Sequence, residues 1–288
     1  MASSQVAGQR NPQEAEQVQI LSVALAETTL YMHPTGRTIQ GSLNQNIQLV
    51  DQEGRFYLLR LPQDEKVRRR IAEHLAITYR EEGFTSAAGS HRYRTIPEQA
   101  WFMNHAVQEG IRVLQPVAIA HDAASMLVPF LQAEPLDEYL QQGQTEAVGA
   151  ILANLTKAHH KGLIFGDRWG SNTLLTPEGV VEVDFDIALE GSTAKEFELG
   201  KLLYHLLFYA SDRENMLAYL HEYLNKNSAT FLQGYDLTTV QWFIGTHMQL
   251  FGVRKTVVID TVHESNILPV SREHAEQLIN ILQAVQGN

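Results

Sequence analysis

The stretch from Gly162 to Ala188, GLIFGDRWGSNTLLTPEGVVEVDFDIA, constrains this chain more than any other. Thr173-Leu174-Leu175-Thr176 and Val180-Val181-Glu182-Val183 are β-rich runs on either side of Pro177-Glu178-Gly179, the composition of a hairpin with a short glycine-containing turn. A hairpin folds its ends together, so Asn172 entering and Asp184 leaving are expected side by side, with Asp167 on the loop before them. Two carboxylates and an amide oxygen then meet at one spot. Such donors suit Mg²⁺ bound to phosphates, because that ion takes few protein ligands and leaves room for substrate oxygens. Taken singly, Asp and Asn are also ordinary turn caps. Asp184 on the hairpin's far arm favours the metal site for the three together.

Length and composition set the outer limits. A chain of 288 residues exceeds the usual single-domain size, so one large domain or two lobes is expected. Its formal charge of −11 argues against nucleic acid or an anionic membrane surface as partner, though not against a nucleotide held by a local cation. With no cysteine, disulfides, thiolate metal sites and cysteine nucleophiles are excluded together. No run of about 18 apolar residues suggests a spanning helix, and the N-terminus shows no charged-then-apolar leader. A cytoplasmic protein is the expectation.

Residues 1–17 are polar and aperiodic and read as a mobile tail. Strands follow at Thr29–Met32, Asn46–Val50 and Arg55–Arg60, the last two joined as a hairpin through Asp51-Gln52-Glu53-Gly54. Lys66 opens a helix with Ile71, Leu75 and Ile77 inward; its basic run Lys66–Arg70 reads as a solvated face or as a meeting surface for an anion. His91, Arg92 and Arg94 fall in the next connection. Pro97 starts a helix that ends at Gly110. Ser125–Leu131 is an apolar strand, and Val148, Ile151, Leu152 and Leu155 form the stripe of an amphipathic helix. His159 and His160 at its end read as dipole-complementing or packing residues. Thr193 and Glu196 have the spacing of a capping box, and the chain from there to its end is helical.

The order Asp167, four residues, Asn172, hairpin, Asp184-Phe185 resembles the catalytic and metal loops of the protein-kinase-like superfamily. Gly166-Asp167, where ordinary protein kinases write Arg-Asp, is similar to the atypical branches: aminoglycoside and choline phosphotransferases, lipopolysaccharide-sugar kinases and RIO/Bud32-like kinases. Asp186 in place of the usual glycine resembles the acidic variant of the small-molecule kinases. The resemblance covers roughly residues 30–207 and is concentrated at 162–203.

The resemblance implies an α+β, bilobal fold: a small β-rich N-lobe at 18–131 and a mainly helical C-lobe at 132–288. It implies ATP and Mg²⁺ as cofactors and phosphoryl transfer to a hydroxyl. Asp167 would accept the acceptor proton, and Asn172 and Asp184 would hold the metal. Arg60 stands where a strand-three lysine is sought, or is a solvated strand-end arginine with Lys66 nearby as another cation; Glu98 maps to the helix glutamate that orients the strand-three cation, or is a first-turn acid favourable to the helix dipole, or both. Gly36 and Gly41 are the candidates for a phosphate-covering loop, and the backbone near Val128 and Phe130 for adenine. Asp186 would be a further metal-site or acceptor carboxylate, or a cap. Phe165 replaces the loop-supporting histidine of many relatives. Only a few residues part Asp186 from the next helix, so the long segment that holds peptide substrates is missing, which favours a small or glycan-like acceptor. A pseudokinase or nucleotide-binding regulator is the alternative, and a metal-dependent phosphohydrolase a third class.

Overall fold

A computed structural model of the chain describes residues 32–40, 44–120, 125–253 and 270–286. The predicted tail at 1–17, Gly41, and the strand at Thr29–Met32 (Met32 apart) lie outside them. Three strands come first: β1 (His33–Gln40), β2 (Asn44–Val50) and β3 (Phe56–Pro62). Strands β2 and β3 form the expected hairpin, in register from Asn44↔Pro62 to Val50↔Phe56. Asp51 shapes its turn, where Oδ1 accepts from the N–H groups of Glu53 and Arg55, both at 2.9 Å.

The loop expected at His33–Ser42 is instead strand as far as Gln40, paired with β2 and irregular between Pro34 and Thr38. Gly36 therefore sits within β1 rather than in a phosphate-covering loop.

A five-stranded sheet runs in the order β1-β2-β3-β6-β5, with β5 (Ala118–Ala120) and β6 (Ser125–Pro129) completing it. Alternation decides what each face does. Ile47, Leu49, Tyr57, Leu59 and Leu61 cluster on one face. Arg60, between the last two, must point to the other, and there it is 7% exposed.

Between β3 and β5 lie α1 (Glu65–Glu81), β4 (Ser90–Tyr93) and α2 (Ile96–Gln108). Helix α1 is capped by Asp64, whose carboxylate accepts from the Lys66 N–H at 2.8 Å. Its inward stripe corrects the expectation: Tyr79 is buried while Ile77 is 47% exposed. At 100° per residue Ile71, Leu75 and Tyr79 share a face that Ile77 does not. Helix α2 begins at a full capping box of Thr95 and Glu98, with Pro97 in its first turn.

The stretch around His91 and Arg92 is strand rather than connection. Strand β4 pairs with β10 (Ile187–Glu190), in register from Tyr93↔Ile187 to Ser90↔Glu190. The N-terminal part thereby reaches across to the segment just after Asp186.

The rest is mostly helical: α3 (Leu136–Gln141), α4 (Val148–His160), α5 (Ala194–Tyr209), α6 (Arg213–Phe231), α7 (Leu237–Val253) and α8 (Arg272–Gln286). A small sheet of β7 (Glu134–Pro135), β8 (Thr173–Thr176) and β9 (Gly179–Glu182) carries the predicted hairpin. Its turn is shorter than expected, because Gly179 already pairs with Thr176 and leaves only Pro177-Glu178 between the strands.

Helix α5 is buried along nearly its whole length, so its first turn docks on neighbours instead of forming the expected box. Thr193 donates to Ala87 O at 3.1 Å, and Glu196 Oε1 accepts from the Asp236 N–H at 3.2 Å. The architecture is thus α+β, with a sheet-rich N-terminal part and a helical C-terminal part. One large core joins them, from Phe102 and Val128 to Leu152, Leu155 and Leu203. No described helix is long and apolar enough to cross a membrane.

Candidate active site

The hairpin ends meet. Beyond the last ladder pair, Thr173↔Glu182, the Val183 N–H donates to Asn172 O at 2.9 Å. Asp184 follows at φ 62°, a left-handed conformation uncommon for a residue with a side chain and concentrated at functional sites. Arg60 comes from β3 to meet it, Nη2 donating to Asp184 Oδ1 at 2.5 Å. The arginine is nearly enclosed, its side chain 9% exposed against 33% for the aspartate. Its Nε is buried without a partner.

Asp186 is buried rather than capping a surface turn. It accepts from Asn44 Nδ2 at 3.4 Å. Burial, and then the neighbouring Asp184, push its carboxyl well above the usual range, against the pull of Arg60.

Asp167 is held on three sides. Lys201 Nζ donates to Oδ1 at 3.0 Å, and the Trp169 indole N–H donates to Oδ2 at 2.9 Å. The Asn172 amide donates to the Asp167 backbone carbonyl at 2.7 Å. That last bond ties the loop to the hairpin and turns the amide oxygen of Asn172 away from the loop. Lys201 is itself buried and also contacts both oxygens of Glu82, at 3.2 and 3.3 Å. One cation thus lies between two carboxylates. Burial lowers the lysine's affinity for its proton, yet Asp167 and Glu82 together raise it above the ordinary value. Glu82, fully enclosed, is the member that gives way, pushed up by burial to about 7.

Buried charges also fix the loop backbones. Glu198 on α5 accepts from the N–H groups of Phe165, at 3.1 Å, and Gly166, and its Oε2 lies 2.8 Å from His159 Nε2. The other ring nitrogen of His159 lies 2.6 Å from the Tyr235 hydroxyl, so the ring bridges Glu198 and Tyr235 rather than serving as the expected dipole-complementing or packing residue. Arg168 spans the hairpin, reaching Glu182 at 2.8 Å and Val183 O at 2.8 Å.

Sequence reasoning missed Glu82, Lys201, Glu198 and Arg168 as parts of the site. A signal existed for two of them: Glu198 and Lys201 stand among Phe197, Leu199, Leu202 and Leu203, where a charge implies a buried partner.

Several predicted residues do not join the site. Glu98 does not meet Arg60. Its carboxylate accepts from the Thr95 N–H at 2.7 Å and from Arg92 at 2.9 Å, while Arg60 goes to Asp184. A residue at the third position of a capped helix is committed to its cap. The Phe130 N–H donates to Phe56 O at 2.9 Å. The alternation of an antiparallel ladder puts Val128 in the same bonded relation with Leu58, its partner. Neither position therefore offers a free N–H to adenine.

Comparison with known proteins adds resemblances only. No family model matches, and no curated protein does either. Solved structures do match. An amicoumacin kinase, hAmiN, in complex with AMP-PNP, Ca²⁺ and Ami is 14% identical, each chain covered over 96% of its length, with a TM-score of 0.44. The Rio2 kinase of Chaetomium thermophilum, as an ADP/Mg²⁺-phosphoaspartate complex, is 14% identical over 100% of this chain and 80% of its own, with a TM-score of 0.41. A Mycobacterium tuberculosis protein in complex with erythromycin is 16% identical over 96% of this chain and 80% of its own, with a TM-score of 0.40. Likeness of this degree leaves the fold to rest on the chain's own strand order and helices.

Proposed function

We propose that this chain transfers a phosphoryl group from Mg²⁺·ATP to a hydroxyl of a small acceptor. One observation supports the reading: the hairpin backbone stays closed past its ladder, with the Val183 N–H on Asn172 O one residue before Asp184, and the Asn172 side chain binds the backbone of Asp167.

The donors fit a hard divalent ion that shares its coordination with a substrate. Among the described residues no three His, Cys, Asp or Glu side chains form a metal cage of their own. A two-donor site of amide and carboxylate oxygens is what Mg²⁺ uses beside phosphates and water. When bound, the ion neutralises phosphate charge. Asn172 and Asp184 are the residues that would hold it.

The chain's own work is positioning and charge placement, which a loose phosphoryl-transfer transition state chiefly requires. Asp167 accepts the acceptor's hydroxyl proton, on a carboxylate held in place by Lys201 and Trp169. Arg60 supplies the positive charge on the phosphate side of Asp184. Asp186, its carboxyl raised by burial and by Asp184, lies buried two residues on. The short segment after Asp186 is committed as β10 against β4, which supports a small or glycan-like acceptor over a peptide.

A nucleotide-binding protein with little turnover is the second reading. It is favoured by the engagement of both oxygens of Asp167 by groups of the protein itself.

Purified protein with γ-labelled ATP, Mg²⁺ and a panel of hydroxyl acceptors tests the first reading against Asp167→Ala. Loss of a general base lowers turnover by about a hundredfold or more. Equal background turnover in both would reject phosphotransfer. A rise in melting temperature with Mg²⁺·ATP in both proteins would then support the regulator.

A further inference from the structure

Phe165 stands where a loop-supporting histidine is expected, so the structure must hold the two loops together by other means. The side chain of Phe165 packs with Phe102 and Phe185, at ring-centroid distances of 6.4 and 5.7 Å. This trio is apolar and offers no hydrogen bond to either loop. A guanidinium lies against it: Arg94 Cζ is 4.3 Å from the centroid of Phe102.

Arg94 directly follows β4, and its backbone N–H continues the pairing with β10 by donating to Asp186 O at 2.8 Å. Its side chain meets backbone carbonyls from both loops. Nη2 donates to Ile164 O at 2.8 Å and Nη1 to Phe165 O at 2.9 Å, both on the loop that carries Asp167. Nη1 also lies 2.6 Å from Ile187 O and 3.2 Å from Phe185 O, on the segment that carries Asp184. The loops abut here, since a Cβ on Gly166 would collide with the carbonyl oxygen of Ile187. Arg94 makes no ion pair with a carboxylate among the described residues, so its donors are given to the seam. Burial lowers it to about 10, and it keeps its charge at neutral pH.

We propose that Arg94 is a positioning residue that helps fix Asp167 relative to Asp184, by bonding the carbonyls of 164 and 165 on one loop and 185 and 187 on the other. The proposal rests on the reading of Asp167 and Asp184 as the reacting pair. A planar fork of donors can bridge carbonyls on both sides of a seam; an ammonium on a single atom cannot.

The test uses the full chain with Arg94→Lys, and Arg94→Ala as a second variant. A misplacement of about 1 Å costs on the order of a hundredfold in rate, so kcat of Arg94→Lys falls by about that factor while KM for Mg²⁺·ATP stays near the parent's. Guanidinium at a non-denaturing concentration restores part of the rate of Arg94→Ala. Without reference to turnover, amide exchange in Arg94→Lys rises together in peptides covering 164–167 and 184–187, and the α5 peptides remain as protected as in the parent. Parental protection of both loops would overturn the assignment. So would exchange raised throughout the chain, since Arg94 would then only hold the fold. Exchange raised in both loops of Arg94→Lys, with no turnover in the parent, would strike the phosphotransfer reading and leave only the bonding of the two loops by Arg94 standing.

Discussion

Lys201, only 1% exposed on α5, reaches the carboxylate of Asp167 at 3.0 Å and that of Glu82 at 3.2 Å. Removing one member of a buried ionic group leaves the others uncompensated, at a cost of about 3–5 kcal/mol. Lys201→Met is therefore expected to lose stability in that range. Adding Glu82→Gln removes one of the stranded carboxylates. The double variant should be more stable than Lys201→Met alone, a coupling that urea midpoints in a double-mutant cycle measure directly. Additive losses would mean that the three groups do not act as a unit.

The same cluster sets a pH dependence. Glu82 is held up at about 7 against 4.5 in the unfolded chain. Between those values the folded protein keeps a proton that the unfolded one has released, so stability from this group is full below the lower value and is lost as pH rises through the upper one. Glu82→Gln cannot ionise and escapes that loss. Its melting temperature relative to the parent should move in the variant's favour from about pH 5 to about pH 8, in buffers of matched ionic strength. A difference that stays constant with pH would show that Glu82 ionises freely.

What could be read before the structure follows from range along the chain. The β8–β9 hairpin, the β2–β3 hairpin and the start of α2 are local, each specified by a turn or a first-turn proline within a few residues. Asp167, Asn172 and Asp184 were legible because a hairpin converts sequence spacing into proximity. The pairing of β4 with β10 was not, because nothing in Ser90–Tyr93 names a partner so far downstream. Lys201 meets Glu82 for the same reason only in three dimensions. Glu98 shows the opposite case: its first-turn position makes it a local helix-start residue, and the structure commits it to the cap with Thr95 rather than to Arg60. Ile77 was placed inward by hydrophobicity when its angular position put it outside.

Gly166 and Gly162 both sit at positive φ, 110° and 73°, but only one faces a crowded neighbour. A Cβ on Gly166 would collide with Ile187 O, whereas nothing lies within 4 Å of one on Gly162. Gly162→Ala carries backbone strain alone, about 1 kcal/mol. Gly166→Ala adds a clash of backbone on backbone that no rotamer can relieve, so it should lose clearly more, by about 2–3 kcal/mol in all, and separate the Asp167 loop from β10. Urea midpoints at unchanged m-value report the difference. Equal losses at the two sites would mean that the loops do not abut.

Arg60 and Asp184 form an ion pair, and that pair sets two opposite expectations for one substitution. A divalent cation approaching Asp184 must share it with a guanidinium already bonded to Oδ1 and repelling the ion. Arg60→Met removes that competitor, so Mn²⁺ alone should bind more tightly than to the parent. With ATP present the guanidinium has phosphate oxygens to bond, and it becomes a favourable charge beside the ion rather than a rival to it. Mg²⁺·ATP should therefore bind more weakly to Arg60→Met, and the melting-temperature rise it induces should shrink. Calorimetric titration with the metal alone and with the metal–nucleotide complex separates the two terms. A substitution that weakened both, or neither, would remove Arg60 from the phosphate side of the site and leave it as a structural partner of Asp184.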